Sequence, residues 1–530
     1  MRTYIKSITL TLACVLAFAT CDDRLDLSPI GELNSENFYN NEEDFEAASL
    51  APYSTLLNLY FDQSGGGWFQ PIMYPGDDVR YELGNNDIEE FNWLSTNGNF
   101  RNVWDESYKG IMRSNVVIAQ LEDADGFSDE SNKARFEGEA KFIRAYFYFI
   151  LARNFGEVPV IDEVLTTIED TRIGNSQTGE VWDLIESDLA FAAENLPESW
   201  DDDNTGRATR YAASALLGKA QIYRAQWLGE AGKYQDAITN LQAVVNSGQY
   251  SLMDDYGDNF SEDAENNAES IFEIQMTRGD FNPWLPADHV SNEGAAGPGR
   301  RILTAAGCNQ GECAPGGNQF GYGRVHITSS LRNEFEPNDP RIFHTFYQEG
   351  DQYADTVFRA SWSVTGATPA KYVRPFAAEG FPPNISTNNE RVIRYSDVLL
   401  LLAEAELLGN GNVAQAAELI NQVRERARNN YEIVYEGTAP TDLLPDRPTS
   451  ASADQMHEWL RHERRVELAL EVHRYDDLVR WHRTGIINIP TDVDFGNTLA
   501  NQNWGERNLL KPIPQRELDN NASLSQNDGY

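Results

Sequence analysis

Cysteine is scarce in this chain, and basic residues are heavily outnumbered by acidic ones. Four of the 530 residues are cysteine, and 83 acidic side chains face 42 basic ones, so the formal net charge at pH 7 is −41. A field of that sign repels phosphate backbones and anionic lipid surfaces, which excludes nucleic acid as a natural partner. It also disfavours a heavily anionic substrate, although solubility in a salty medium is a simpler interpretation of the same charge.

Long apolar runs are missing too, apart from one at the start of the chain. Residues 8–19 form this run, with Arg2 and Lys6 before it and small residues after it. Because about 20 apolar residues are needed to span the hydrocarbon core, the pattern predicts a cleaved secretory signal at 1–20 and no membrane-spanning helix. Cys21 comes next, either as the acylated first residue of a lipoprotein or as an incidental residue after an ordinary signal.

The cysteines beyond the signal fit an exported protein. Cys308 and Cys313 lie in the Gly-rich stretch GCNQGECAPGG, with four residues between them. In an oxidising compartment they could close a small disulfide ring that stiffens the loop, and two reduced thiols are the alternative. Since no histidine stands nearby, they supply only half of a tetrahedral zinc site.

Signatures of catalysis are missing as well. HEWLRHE (457–463) places His457 and His462 five positions apart, whereas a zinc-protease helix needs two histidines four apart on one face. No Gly-x-Ser-x-Gly elbow, Walker A loop or Rossmann fingerprint follows a predicted strand. Paired carboxylates for glycoside hydrolysis cannot be singled out among 83 acids. The acidic run 254–266 is either solvated surface or a structural Ca²⁺ site, and no other cofactor is expected.

Amphipathic helix is what the chain has in abundance. Apolar residues recur three or four positions apart in 43–60, 101–121, 133–153, 180–195 and 208–226. The last segment keeps small residues where another helix must approach closely, at Ala212, Ala213, Ala215, Gly218 and Ala220. A second helix follows, and the pair resembles a tetratricopeptide hairpin. The apolar face of that second helix carries Tyr234, Ala237, Leu241 and Val244.

Further helices are predicted near the end of the chain. A second hairpin covers 394–427, with its turn at Gly409-Asn410-Gly411, and a third helical block covers 454–484. One face of the second hairpin's later helix carries Ala416, Ala417, Ile420 and Val423. Between the two halves, 250–390 is rich in Gly, Pro and Asn and includes the strand-like ESIFEIQM (269–276), which predicts loops carried on a helical frame.

Aromatic side chains in two loop segments are the candidate ligand contacts. Sugars present flat apolar faces edged with hydroxyls, so their binding sites combine aromatic platforms with Asn, Asp and Arg. The segments 65–99 and 279–289 have that composition. The predicted ligand-binding residues are Trp68, Tyr74, Asp78, Arg80, Tyr81, Asn92, Trp93, Asn282 and Trp284. For any single aromatic residue, half-buried packing is the alternative.

Ordered blocks along nearly the whole mature chain resemble one family. They are CDDRLDLSP at Cys21, WDESYKGIMRSNVVI (104–118), GEAKFIRAYFYFILARNFGEVPVI (138–161), GRATRYAASALLGKAQIY (206–223), DPRIFHTF (339–346), RYSDVLLLLAEAELLGNG (394–411), ERRVELALEVHRYDDLVRW (463–481), LLKPIPQREL and QNDGY. In this order they resemble the SusD/RagB-like family, the starch-binding-type surface lipoproteins of Bacteroidetes outer membranes. Charges that alternate in sign along 463–481 predict ion pairs that hold the helical frame together, not an active site.

The resemblance implies a mostly α-helical, SusD-like fold, in which tetratricopeptide-like hairpins carry long loop inserts and a few short strands. It divides the chain into a lipoprotein signal peptide at 1–20, a lipidated tether at 21–40, an N-terminal helical part at 41–250, a loop-rich insert at 251–390 and a C-terminal RagB/SusD-type part at 391–530.

The implied function is non-enzymatic capture of glycan at the cell surface. Family members resemble lids on a SusC-like TonB-dependent transporter, held in the outer membrane by lipid on the N-terminal cysteine, here Cys21. They deliver oligosaccharide or polysaccharide into the transporter barrel. An oligopeptide carrier of the same family and a glycoside hydrolase are the alternatives. The acidity favours a neutral glycan, although a few local arginines can reverse a global field at close range.

Overall fold

The computed structural model describes most of the chain beyond the predicted signal and tether. The described residues are 38–39, 41–60, 69–81, 87–122, 124, 127–276, 308–309, 312–313, 325–353, 356–372 and 388–530. The predictions for Cys21, Trp68, Asn282 and Trp284 fall outside these ranges and stay predictions.

The fold is mostly helical, with 56% helix and 6% strand, which confirms the predicted fold class. The helices of the first half are α1 (Glu42–Tyr60), α2 (Phe69–Met73), α3 (Gly98–Glu122), α4 (Glu130–Phe155), α5 (Glu180–Asn195), α6 (Arg210–Leu228) and α7 (Lys233–Asn246). Those of the second half are α8 (Ser329–Glu334), α9 (Arg341–Thr345), α10 (Tyr395–Ala405), α11 (Val413–Asn429), α12 (Tyr431–Val434), α13 (Ala453–Glu467), α14 (Arg474–Arg483), α15 (Ile489–Asp492), α16 (Thr498–Asn503) and α17 (Gln515–Asn520).

The strands are short and pair only two by two in the described part of the chain. They are β1 (Val79–Tyr81), β2 (Ser270–Ile274), β3 (Cys308–Asn309), β4 (Glu312–Cys313), β5 (Val325–Ile327), β6 (Phe346–Gln348), β7 (Gln352–Tyr353), β8 (Thr356–Val357), β9 (Ala367–Pro369) and β10 (Glu390–Arg394). The antiparallel pairs are β1 with β5, β2 with β10, β3 with β4, β6 with β9, and β7 with β8. The strand predicted within 269–276 is β2.

The backbone register sets the two loop cysteines directly opposite each other. Cys308 in β3 pairs with Cys313 in β4. Directly opposite residues of antiparallel strands have Cα atoms about 4.5–5.5 Å apart, a separation that a disulfide can bridge. The disulfide between them remains a prediction.

Helix α4 is the central helix of the first half. All of its residues from 142 to 155 are buried, and it packs between α3 and α5. A helix with apolar residues on every face must be enclosed by neighbours, as α4 is. Asp129 caps its start by accepting from the Ser131 amide, and Gly156 ends it at φ 76°.

Both predicted hairpins are present. Helices α6 and α7 pack so closely at Gly218 that a Cβ there would lie 2.6 Å from Cγ of Leu241. Helix α10 runs into a π-helical turn, Glu406–Asn410, and Gly411 follows with φ 64° before α11 begins. The four residues predicted for the inner face of α11 are buried. The third helical block consists of α13 and α14, separated by left-handed backbone at Leu470 and Val472.

A network of buried ion pairs joins the insert to the C-terminal helices. Its members are Lys371, Arg341, Arg394, Arg424 and Arg426 with Asp339, Glu269, Glu463, Glu467 and Glu471. We call this set the central ion network, and none of its residues is more than 6% exposed. Buried charges are tolerated only when paired, and here the basic and acidic side chains are equal in number. The paired charges predicted in 463–481 are therefore confirmed, and they lie inside the molecule.

Candidate ligand-binding site

Two described residues of the predicted site, Arg80 and Tyr81, lie in β1, which pairs with β5. Arg80 pairs with His326 and Tyr81 with Val325 in the antiparallel register. Both Arg80 and Tyr81 remain partly exposed. The Tyr81 ring stacks on the buried Tyr74 with centroids 4.6 Å apart and planes 29° apart. One tyrosine of this pair is thus anchored in the core while the other reaches the surface.

Glu89 orients both exposed residues. Its carboxylate accepts from Arg80 Nε at 2.5 Å and from the Tyr81 amide at 2.9 Å. Asn497 Nδ2 donates to the same carboxylate at 2.8 Å, and Arg80 also donates to the carbonyl of Gly496 at 2.8 Å. Arg80 is therefore held in one conformation by groups from two distant parts of the chain, as a pre-organised binding residue requires.

Asn92 contacts the same C-terminal segment, 496–503, that Arg80 contacts. Its side chain is exposed, and its Oδ1 accepts from Asn503 Nδ2 at 3.3 Å. Leu94, two positions after Asn92, and Leu499, within 496–503, are exposed, at 58% and 46%. Arg80 and Asn92 thus have the segment 496–503 as a common neighbour, which the sequence alone could not indicate.

Three of the predicted ligand contacts lie in the interior instead. Tyr74 and Trp93 are each 1% exposed, and Asp78 is 4% exposed. Trp93 donates from Nε1 to the Ile88 carbonyl at 2.9 Å, while Asp78 accepts from Arg465 at 3.0 Å. Their burial argues against contact with ligand and assigns them to packing and to an ion pair. A segment without helical or strand period carries no signal for which of its side chains point inward, and that is why the sequence grouped them with Arg80.

The frame residues that flank the other predicted aromatics lie close together. Leu57, near the end of α1, and Gln275, just after β2, line one mostly apolar pocket of about 290 Å³. Tyr60 closes α1 with its hydroxyl 2.6 Å from that of Tyr146. Leu57 and Gln275 thus lie at one pocket although they are far apart in the sequence.

A cavity of about 680 Å³ lies beside Asp77, in the turn that precedes β1. We call it the polar cavity; its walls include Asp77, Glu334, Trp459, Arg461, Arg474 and Asp494. These residues come from the turn before β1, from α8, α13 and α14, and from the segment that follows α15. The sequence alone does not indicate this site, because its lining residues come from separate segments of the chain.

Ion pairs hold most charges of the polar cavity. Burial alone would raise the pKa of Asp77, but Arg465 and Arg474 lower it to about 2. Burial would likewise raise the pKa of Glu334, yet the hydrogen bond from His462 and the charge of Arg465 bring it to about 2. His462 sits between Glu334 at 2.8 Å and Glu336 at 3.2 Å, and these carboxylates outweigh burial and raise its pKa to about 9.

Metal binding finds no support in the described residues. None of them form a group of three or more His, Cys, Asp or Glu side chains placed to hold an ion. In the acidic run weighed for Ca²⁺, Asp255 accepts from the Gly257 amide at 2.8 Å and from Asn430 at 3.2 Å. Within the same described ranges, no helix has the length and apolarity needed to cross a membrane.

Two family models match this chain. One, described as "SusD family", matches residues 268–530, and the other, described as "Starch-binding associating with outer membrane", matches residues 75–223. The chain belongs to the SusD-like family. The family predicted from the sequence blocks is thereby confirmed.

Relatives of this SusD-like chain match along nearly its full length. SusD-like protein P25 of Formosa agariphila is 24% identical, with 99% of this chain and 98% of the relative covered. A solved SusD superfamily protein from Bacteroides vulgatus is 26% identical with a TM-score of 0.74, and the match covers 93% of this chain and all of that one. A solved "Laminarin binding SusD-like protein" is 26% identical with a TM-score of 0.69, at 93% and 100% coverage.

The SusD-like family blocks correspond to the frame of the structure. The block 138–161 is the second half of α4 with its Gly156 end, and 394–411 is α10 with its π-helical turn. The block 463–481 contains residues of the central ion network and begins beside the polar cavity at His462. The shared blocks therefore define the scaffold, while Arg80, Tyr81 and Asn92 lie outside them.

Proposed function

We propose that this SusD-like chain is a non-enzymatic, cell-surface glycan-binding lipoprotein. In this proposal Cys21 carries lipid that anchors the chain in the outer membrane, and Asp22 and Asp23 direct it to the outer face. The chain captures an oligosaccharide or polysaccharide and delivers it to a SusC-like TonB-dependent transporter. We expect a largely neutral glycan, because the formal charge of −41 repels densely charged polymers.

One observation carries the proposal: the chain aligns over 93% of its length with a solved protein whose description states that it binds laminarin. Its identity of 26% to that protein leaves the particular glycan open to assay. The second family model names association with the outer membrane, which supports the location. A lipid anchor supplies membrane attachment without a spanning helix.

The geometry of Arg80 and Tyr81 in β1 supports sugar binding. Tyr81 offers a partly exposed ring backed by Tyr74, and Arg80 is fixed by Glu89. Aromatic rings stack on the apolar faces of sugars, and pre-oriented donors bind the hydroxyls at a small entropic cost. We include Asn92, Trp68, Asn282 and Trp284 as further predicted contacts.

Two carboxylates of the polar cavity do not suit the general-acid role in glycoside hydrolysis. A glycosidase needs one carboxyl group whose pKa is raised so that it can donate a proton to the leaving group. Asp77 and Glu334 instead have pKa values near 2 and stay ionised in their ion pairs. These two carboxylates therefore cannot act as the general acid near neutral pH.

Isothermal titration against a panel of neutral oligosaccharides tests the glycan proposal. Changing Tyr81 to Ala should weaken binding by up to about tenfold, since an aromatic contact contributes about 0.5–1.5 kcal/mol. Tyr211→Ala is the matched control, because Tyr211 is also partly exposed beside another tyrosine, Tyr250 at 6.2 Å. A folded chain that binds no glycan in the panel would contradict the proposal.

Two further experiments address the partner and the ligand class. Purification from the native membrane should yield this chain together with a TonB-dependent transporter, and mass spectrometry should identify sugars bound to that complex. Peptides in their place would favour the oligopeptide carrier. Prolonged incubation with a bound oligosaccharide should leave it intact, whereas reproducible cleavage would support the hydrolase.

A further inference from the structure

Arg461 differs from the other arginines of the polar cavity. Arg465 and Arg474 pair with Asp77, and Arg447 pairs with Glu336 at 2.7 Å. Arg461 lines the same cavity, yet among the described residues its guanidinium forms no ion pair and no hydrogen bond. Its Nε is fully buried without a partner. Among the described residues, Arg461 is thus the one arginine of the cavity wall without a partner.

An unpaired guanidinium in such a place favours an incoming anion. Burial and the neighbouring charge of Arg474 lower the pKa of Arg461, which means that its charged form is disfavoured there. Arginine nonetheless stays protonated near neutral pH, so the partly desolvated charge of Arg461 is available to an incoming anion. A carboxylate matches the planar fork of the guanidinium and can accept two hydrogen bonds from it.

The acids around Arg461 limit the charge that such a ligand can carry. Glu458 and Asp492 line the cavity, and both interact electrostatically with Arg461 without forming a contact pair. A doubly charged phosphate would be repelled by these carboxylates together with Glu334, whereas a singly charged carboxylate is repelled less. The carboxylates around Arg461 therefore disfavour a doubly charged ligand more than a singly charged one.

The rest of the cavity suits the remainder of a sugar unit. A volume of about 680 Å³ is far larger than a single carboxylate needs and falls within the range of small-molecule sites. Trp459, Leu478 and Val493 supply apolar wall, and the carboxylate of Asp494 can accept from hydroxyl groups. Asp494 is already positioned by the Gly496 amide at 2.9 Å and Asn501 at 2.8 Å.

We propose that the polar cavity binds a carboxylate-bearing sugar unit, a uronic acid, whose carboxylate accepts bidentate hydrogen bonds from Arg461. This inference rests on the proposed glycan-binding function and refines its ligand class. One acidic unit in an otherwise neutral oligosaccharide is compatible with the overall acidity, because Arg461 acts at contact distance while the global field is screened by salt over about 8–10 Å. The cavity is then a second subsite, separate from the surface around Tyr81.

Titration calorimetry with a matched pair of tetrasaccharides tests the inference. One ends in glucuronic acid and the other ends in glucose at the same position. The acid should bind at least about tenfold more tightly to the unaltered chain, because a hydrogen-bonded charge pair contributes more than a neutral contact. Arg461→Gln should abolish that preference, so that the acidic and neutral tetrasaccharides bind with about equal affinity, while Arg461→Lys should retain part of the preference.

Arg483→Gln is the matched control. Arg483 also has a buried Nε without a hydrogen-bond partner, but it lies over the Trp227 ring at 4.4 Å, away from the cavity walls. Its substitution should leave both affinities unchanged. Circular dichroism of each variant checks that the chain is folded.

The possible outcomes separate this inference from the proposed function. Equal affinities of the unaltered chain for the two tetrasaccharides, or a preference that survives Arg461→Gln, would overturn the uronic-acid site while glycan binding stands. Failure of every glycan to bind would overturn the proposed function and the inference with it. Acetate that competes with the acidic tetrasaccharide at equal concentration would show a site for free carboxylate and overturn the sugar assignment.

Discussion

Removing the positive charge of Arg394 should destabilise the protein more than removing any single surface charge. Arg394 ends β10 and donates from Nε and Nη2 to Glu471 at 2.7 and 2.8 Å, and it also pairs with Glu269 and Glu467. It is 2% exposed. Arg394→Met would leave three buried carboxylates with fewer cations, and breaking a buried pair in this way costs about 3–5 kcal/mol.

The surface residue Arg516 provides the control. Its guanidinium pairs with Asp105 at 2.8 Å and Glu517 at 2.9 Å, distances like those of Arg394, but its side chain is 52% exposed. Arg516→Met should cost no more than about 1 kcal/mol, because water screens an exposed pair and solvates the carboxylates left behind.

Urea unfolding followed by circular dichroism and tryptophan fluorescence measures both changes. The Arg394 variant should show a lower midpoint with an unchanged slope, since the surface exposed on unfolding stays the same. If its free energy of unfolding fell by no more than that of the Arg516 variant, burial of the central ion network would not be what makes its charges costly to remove.

Three other predictions follow from the same structure. Gly218→Ala should destabilise the protein by about 1–3 kcal/mol although alanine favours helix, because its Cβ would lie 2.6 Å from Cγ of Leu241. Gly98→Ala should not destabilise it, because a Cβ there would have no atom within 4 Å, and the urea midpoints of the two variants test the difference. Arg465 and Arg474 hold the pKa of Asp77 near 2, below its unfolded value of about 3.9, so the contribution of Asp77 to stability is complete above about pH 4. That contribution should fall as the pH drops toward 2. Urea midpoints that stay constant over that range would contradict this prediction. Cys21→Ala should leave the chain soluble or unprocessed, and unchanged membrane fractionation would refute lipidation at that residue.

Local patterns were enough to predict the helical frame. The segment 180–195 matches α5 at both ends, and 43–60 differs from α1 by one residue, because spacing of three or four apolar positions is a property of neighbouring residues. The small residues of α6 also predicted a close helix contact, which the approach of Leu241 to Gly218 confirms. Helix ends at Gly156 and Gly411 were predictable because glycine adopts left-handed backbone readily.

The direction of side chains in loops was not predictable in the same way. Trp93 and Tyr81 lie in one aromatic, period-free segment, yet the first is enclosed by Phe100 and Tyr475 while the second reaches the surface. The burial of Trp93 depends in part on α14, which supplies Tyr475 and comes hundreds of positions later in the chain. Burial of an irregular segment is decided by its distant neighbours, and no local period reports it.

Sequence therefore carried the family, the helices and the pairing of the charges in 463–481, since each depends on order or spacing along the chain. Folding decided that Arg394 pairs with carboxylates of two segments far apart in the chain, that Arg461 is the one arginine of its cavity without a partner among the described residues, and that Asp77 and Asp494 face one space. The reason is that an ion pair or a cavity is defined by distances between atoms, and contacts between residues far apart in sequence are set only when the chain packs.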